Sequence, residues 1–305
     1  MAFSRPVLVI TMTWIFAVVI YLRTHRSGSS QILVKTAHGY MKYSALEEDV
    51  FIANNFKLLA ASKPLPMLDF ITKPTCEQIY VDNHAKQAPR EWKQIPSLLN
   101  VPVEELEGTL LYGKGSMAVY HALNAFPQRN RKGLVVGSQK PWVEVFALRN
   151  GAREVVTLEY QNISISGTDR VKYVHPIELA QQWQSYKGQF DFVLSFSTIE
   201  HSGLGRYGDP LDPIGDLREV WKITCLLKPG GYFFLGVPTG QDAIVFNLHR
   251  IYGVLRLAMV MTGFEWVATY SGDNPIPIQL TQRDLEYYSD GRHVVQYLYV
   301  LKKTS

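Results

Sequence analysis

Charge is scarce in this chain: charged residues make up 19% of its 305 residues, and the formal net charge is only +4. Lys and Arg are scattered rather than gathered into a stripe, so no nucleic acid is expected as a partner. Cysteine is scarcer still. Cys76 and Cys225 are the only two, which excludes a disulfide framework and a zinc site of recognisable ligand spacing. One bridge between them remains open, with two buried free thiols the simpler expectation and Cys225 read as core. Internal repeats and low-complexity runs are missing. Neither His175 nor His249 has a partner at metal-ligand spacing, so no metal is expected. Gly113-Lys114-Gly115-Ser116 lacks the first spaced glycine and the preceding strand of a phosphate loop. The glycines from Gly203 to Gly208 lack the dinucleotide spacing.

Apolar residues are abundant, at 47%, enough for a packed core. One uncharged run, residues 7–22, reads VLVITMTWIFAVVIYL. As a helix it would rise roughly 24 Å, a little short of a hydrocarbon core of about 30 Å. Such a length suits a thin bilayer, and Tyr21 falls where an interfacial aromatic belongs. A cleaved leader would want small residues at its end, whereas Leu22-Arg23-Thr24-His25-Arg26 offers none. A signal anchor is therefore expected, with the endoplasmic reticulum or Golgi membrane as partner. Positive charge is denser after the span (Arg23, Arg26, Lys35) than before it (Arg5), which favours a cytosolic domain. A very short tail before the span also suits a lumenal, Golgi-type arrangement.

Three regions are expected: the anchor over residues 1–26, a proline-interrupted stem or accessory layer over 27–108, and a globular domain over 109–305. The stem carries one helical stretch, residues 46–61. In the domain Ser116 can cap a helix ending before Pro127. Strands are expected at 134–136, 154–158, 171–174, 192–196 and 232–237. Helices at 141–149, 177–186 and 214–227 alternate with them, and a further helix at 246–262 precedes two more strands, 265–270 and 294–301. Nearly all-apolar strands alternating with helices mean a parallel sheet covered on both faces. The expected fold class is α/β, a seven-stranded, mostly parallel, doubly wound sheet behind an N-terminal transmembrane helix.

Three segments carry a resemblance. Val135-Val136-Gly137-Ser138 is a strand running into glycine, with Glu159 closing the next strand. Phe190-Asp191-Phe192-Val193-Leu194-Ser195 leads to Ile199-Glu200-His201. Leu226-Leu227-Lys228-Pro229-Gly230-Gly231 turns from helix to strand, and Thr262-Gly263-Phe264-Glu265 adds to it. Over residues 109–303 the order resembles the class I S-adenosylmethionine-dependent methyltransferases, a Rossmann-like fold. The chain as a whole also resembles a family of nematode proteins with a related bacterial domain. The resemblance implies S-adenosylmethionine as cofactor, contacted by Gly137, Ser138, Glu159 and Ser197.

Physical chemistry gives those positions a role. Ligands of doubly wound sheets sit at the carboxyl ends of the strands, where a glycine lets backbone approach and an acid about 20 residues on accepts ribose hydroxyls. An ordinary strand-end glycine and a surface glutamate are the alternatives. The family usually carries two or three glycines after its first strand, and here one glycine is followed by Ser138-Gln139-Lys140-Pro141-Trp142. Methyl transfer to a hydroxyl of a small molecule, lipid or glycan needs a base near the attacking oxygen. His201, titrating near neutrality, is the expected base, with Asp209 as its catalytic companion. Arg206, Asp209 and Asp212 would read a polar substrate from a glycine-rich loop. His201 as a mere loop anchor is the alternative, and a cofactor-free binding or scaffolding module of the secretory pathway is the competing function.

Overall fold

The computed structural model describes residues 33–36, 39–42, 89–107, 112–207, 209, 211–245, 248–289 and 293–304. The expected anchor, the helix at 46–61 and Cys76 lie outside them. No helix among the described residues is long and apolar enough to cross a membrane.

In chain order the strands are β1 (Leu33–Thr36), β2 (Gly39–Lys42), β3 (Arg90–Trp92), β4 (Lys132–Val136), β5 (Glu154–Leu158), β6 (Ile163–Ile165), β7 (Val171–Val174), β8 (Phe190–Phe196), β9 (Leu227–Thr239), β10 (Ala243–Val245), β11 (His249–Ile251), β12 (Phe264–Tyr270) and β13 (Val295–Lys303). The helices are α1 (Ile95–Leu98), α2 (Val103–Glu107), α3 (Met117–Ala125), α4 (Trp142–Arg149), α5 (Pro176–Gln181), α6 (Trp183–Tyr186), α7 (Gly215–Leu226), α8 (Val254–Val260) and α9 (Gln282–Glu286). One seven-stranded sheet runs β12-β13-β9-β8-β4-β5-β7. Its strands β7, β5, β4, β8 and β9 are parallel, whereas β13 runs antiparallel to β9 and β12 antiparallel to β13. The expected parallel sheet closed by a strand pair is what forms.

Alternation along each strand explains the two-sided core. Val135, Val155, Phe192, Leu194 and Phe234 face α3 and α4, whereas Leu134, Val136, Val156, Val193 and Leu235 face α7 and α8. Successive side chains of a strand point to opposite faces, so an all-apolar strand must be covered twice. Trp92 and Ile95, before the expected start of the domain, are buried in the first of these clusters.

The structure differs from expectation in four places. Residues 246–262 are not one helix: β10 and β11 form an antiparallel hairpin, and only α8 is helical. Asp242 fixes that start, its carboxylate accepting the backbone N–H groups of Gly253, Leu255 and Arg256 at 2.8–2.9 Å. The helix expected at 177–186 is broken at Gln182 into α5 and α6. Ser116 does not cap α3; it ends a 3-10 turn in helical conformation, and its Oγ accepts from the Tyr112 amide. Cys225 is half-exposed on α7 and disulfide-bonded rather than a free core thiol.

One buried polar cluster ties the layers together. Asp216 on α7 is fully buried and accepts from Arg256 Nε at 2.9 Å, from an Arg256 terminal nitrogen and from the Tyr252 hydroxyl at 3.0 Å. Arg250 Nε lies 3.5 Å from the same carboxylate. Burial alone would raise the Asp216 carboxyl, but Arg250 and Arg256 overcome it and hold the group below the usual carboxylate range. Removing one partner of such a cluster leaves uncompensated buried charge. Asp216→Ala should therefore lower the folding free energy by about 3–5 kcal/mol. Chemical denaturation followed by circular dichroism reads this directly, and an unshifted midpoint would refute the assigned weight.

Candidate functional site

A cleft opens at the carboxyl ends of β4, β5 and β8, where a doubly wound sheet binds its ligands. Its volume is about 160 Å³, against roughly 10–15 Å³ for a single water, so it is a ligand-sized space. Val136, Leu158, Tyr160, Pro176 and Phe196 supply apolar walls. Trp142 lies in the wall rather than across the opening, set edge-on against Phe146 and Phe196 at centroid distances of 5.9 and 5.4 Å. Lys140 points to solvent.

Glu159 follows β5 and reaches back to the β4 loop. Its Oε2 accepts the Ser138 N–H at 3.0 Å and its Oε1 the Gln161 N–H at 3.1 Å. Each oxygen keeps further acceptor capacity. Glu159 is half-buried on the cleft.

Gly137 and Ser138 both line the cleft, and each has a structural tie of its own. Gly137 has φ +74°, but a Cβ there would be driven into the side chain of Thr198. Gly137 nonetheless lines the cleft, with its Cα hydrogen turned toward Thr198. Ser138 turns inward. Its Oγ is 2.8 Å from the Lys140 carbonyl and 3.1 Å from Glu144 Oε2, while Thr157 Oγ1 donates to Glu144 Oε1 at 2.8 Å. Ser138 has one hydroxyl proton, and a protonated Glu144 can donate to Ser138 while Ser138 donates to Lys140. Burial raises the Glu144 carboxyl to about 7, which agrees with that pattern.

The turn after β8 carries Ser197, Glu200 and His201. Ser197 sits in the left-handed region at φ +55°, an uncommon conformation for a residue with a side chain. Its Oγ donates to Glu200 Oε1 at 2.8 Å, its hydroxyl is bonded by Tyr112, and it lines the cleft. Glu200 is fully buried, and its Oε2 has no hydrogen-bond partner among the described residues. Burial raises this carboxyl to about 7 despite the Ser197 bond and the Arg206 charge.

His201 does not titrate near neutrality. Burial, aided by the charges of Arg206 and Arg250, pushes it down to about 3, and Nδ1 donates to the Leu248 carbonyl at 2.5 Å. Its Nε2 therefore keeps the lone pair, 3.8 Å from Glu200 Oε1. The imidazole is a weak base and a firm anchor. Asp209 is likewise corrected from catalytic companion to loop lock. Its Oδ2 accepts the amides of Gly203, Leu204 and Gly205 at 2.7–3.2 Å and its Oδ1 that of Tyr207 at 3.2 Å. Asp212 pairs with Arg218, so of the three residues expected to read a substrate, both acids are already committed. Arg206 bonds the Leu248 carbonyl and stacks on Tyr207. No group of three or more His, Cys, Asp or Glu that could hold a metal is assembled among the described residues.

Sequence reasoning missed Arg90, Tyr112, Glu144 and the pair Glu219–Lys222, all lining or underlying this cleft. Glu219 and Lys222 lie one helical turn apart on α7, 2.7 Å between Oε1 and Nζ, and burial raises Glu219 to about 8 while lowering Lys222. The helical spacing was legible; that it faces a cleft was not.

Residues 130–304 match the family described as "Caenorhabditis protein of unknown function, DUF268". The chain belongs to this family. The fold of this DUF268 chain is similar to that of a 1,6-didemethyltoxoflavin-N1-methyltransferase from Burkholderia thailandensis, solved with 1,6-didemethyltoxoflavin and S-adenosylhomocysteine. The two share 15% identity at a TM-score of 0.45, over 74% of this chain and 95% of that one. The N-methyltransferase NodS from Bradyrhizobium japonicum is similar at 10% identity and a TM-score of 0.41, over 63% of this chain and 94% of its own. An S-adenosylmethionine-dependent methyltransferase from Methanosarcina mazei is similar at 12% and 0.41, over 60% and 97%. Likeness at this level carries no statement about cofactor or acceptor. No curated protein matches the chain.

The loop lock is testable. Asp209→Ala frees four backbone amides and should destabilise the domain by about 2–4 kcal/mol, as expected for hydrogen bonds to a charged group. Limited proteolysis should then cut between Gly203 and Asp212. A variant with wild-type stability and the wild-type cleavage pattern would return Asp209 to the catalytic role.

Proposed function

We propose that the protein is an S-adenosylmethionine-dependent methyltransferase, anchored by residues 7–22 in the endoplasmic reticulum or Golgi membrane. Its acceptor is a hydroxyl of a small molecule, lipid or glycan. The observation that carries this reading is Glu159: a carboxylate at the second parallel strand's carboxyl end, held by two backbone amides and presented to a ligand-sized cleft. These residues fit the cofactor. Glu159 would take the ribose hydroxyls, and Leu158, Tyr160 and Pro176 would enclose the flat base. S-adenosylmethionine, when bound, supplies an electrophilic methyl group.

The chain must then remove the acceptor's hydroxyl proton. Ser197 lines the cleft and already donates to Glu200. As the acceptor oxygen gives its proton to Ser197 Oγ, Ser197 passes its own to Glu200 Oε1. A carboxyl titrating near 7 suits this task better than an imidazole held near 3. His201 keeps the turn in place through Leu248.

One observation favours a second reading, a cofactor-free binding module. Thr198 occupies the space beside Gly137, so that glycine has a structural reason of its own. Ligand binding separates the two. Calorimetry on the full chain in detergent should show saturable binding of S-adenosylmethionine and S-adenosylhomocysteine. Glu159→Ala should weaken both by about 1.5–3 kcal/mol without unfolding the domain. Absence of any saturable binding to the folded wild type would leave the binding-module reading standing.

Glu200 has its own expected outcome. Glu200→Gln should leave cofactor affinity nearly intact while abolishing methyl transfer, whereas His201→Ala should lower stability and turnover together. The reverse pattern would restore His201 as the base.

A further inference from the structure

We propose that Arg90 forms a carboxylate subsite in this cleft, taking the amino-acid end of the ligand whose ribose Glu159 accepts. This rests on the cofactor reading above and adds to it a recognition element that lies outside the segment matching the family. An amino-acid carboxylate entering a half-buried cleft needs a cation that is not already neutralised. Among the described residues that line the cleft, the cationic candidates are Arg90, Arg218, Lys222 and His201. Arg218 is bonded to Asp212, and Lys222 to Glu219. His201 is neutral above about pH 3. His249, behind it, is held by burial and Arg206 near 4. Of the Arg and Lys side chains lining the cleft, Arg90 alone has no carboxylate partner among the described residues: one of its terminal nitrogens donates to the Ser138 carbonyl at 3.2 Å.

Its position is built rather than accidental. β3 pairs in parallel with β6, register Arg90 to Ile163. The Arg90 amide donates to the Asn162 carbonyl at 2.8 Å, and the Ser166 amide to the Trp92 carbonyl at 3.1 Å. Trp92, two residues on, is buried in the core and fixes the strand. Glu159 and β6 belong to one short stretch of chain, so the segment that carries the ribose acceptor also carries the strand that holds Arg90. Both side chains meet at a single residue: Glu159 accepts the Ser138 N–H, and Arg90 donates to the Ser138 carbonyl. The remaining donors of the guanidinium fork are what a carboxylate accepts in bidentate fashion.

The test compares two probes that share an adenosine thioether and differ in the amino-acid arm. S-adenosylhomocysteine has the carboxylate, and 5′-methylthioadenosine does not. Each is titrated calorimetrically into the full chain in detergent, as wild type, Arg90→Ala, Arg90→Lys and Glu159→Ala. Arg90→Ala should weaken S-adenosylhomocysteine on the order of ten- to a hundredfold, leaving 5′-methylthioadenosine within about twofold. Arg90→Lys keeps the charge and should recover part of the loss. Glu159→Ala should weaken both probes. Unchanged S-adenosylhomocysteine affinity in Arg90→Ala, or an equal loss for both probes, would overturn the carboxylate subsite while leaving the cofactor reading intact. If the folded wild type bound neither probe, both would fall together.

Discussion

The buried carboxylate of Asp216 is the constraint on which the site depends. A full negative charge with no exposure is tolerable only if cations and hydrogen-bond donors surround it, and Arg250, Arg256 and Tyr252 do so. Arg250 then has donors to spare. It gives them to the carbonyls of Ser202 at 2.5 Å and Asp212 at 3.0 Å, and Arg256 gives one to Pro213 at 3.0 Å. The loop after β8 is thereby strapped to β11 and α8 from below, while Asp209 gathers its amides from within. The glycine-rich segment is thus held by buried charge.

The same arrangement sets the chemistry above it. Burial disfavours an imidazolium at His201, and the positive charges of Arg206 and Arg250 disfavour it further. Burial acts with the opposite sign on an acid, so Glu200, next in the chain, moves up as His201 moves down. The two groups exchange their ordinary order: near neutrality the carboxyl changes protonation and the imidazole does not. Sequence alone favours the histidine because its unperturbed value lies in the useful range. That preference assumes solvent exposure, which the turn at residues 199–201 does not provide.

Legibility in the sequence follows what each signal depends on. The parallel strands were readable because a strand covered on both faces must be largely apolar, and β4, β5 and β8 are so beyond their first residues. The hairpin β10–β11 was not, because residues 243–260 are mostly apolar, and periodicity does not separate a buried hairpin from a helix. The charged residues within it, Arg250 and Arg256, were the available clue: both are buried, and only a partner elsewhere in the chain could accommodate them. Asp209 was misread for a related reason. Its spacing from Gly203 and Gly205 permits a carboxylate folded back on the loop's own amides, yet a side chain's direction is not written in its neighbours. Glu159 was legible because its place depends only on strand order. Arg90 was not, since it reaches the cleft through pairing with β6, a three-residue strand without a pattern of its own.

The single glycine after β4 takes on meaning in this light. Where several glycines follow the first strand of such a sheet, backbone amides are free to approach a ligand. Here Ser138 spends its N–H on Glu159, its carbonyl on Arg90 and its hydroxyl on Lys140 and Glu144. Little of that backbone is left to recognise anything. What it does instead is hold two side chains of opposite charge at fixed positions on the rim of the cleft. On the proposed reading recognition falls to Glu159 and Arg90, and a loop that serves as a bracket has no need of further glycines. It needs a side chain at Ser138 that anchors below, which is why the hydroxyl turns inward to a carboxyl poised near 7.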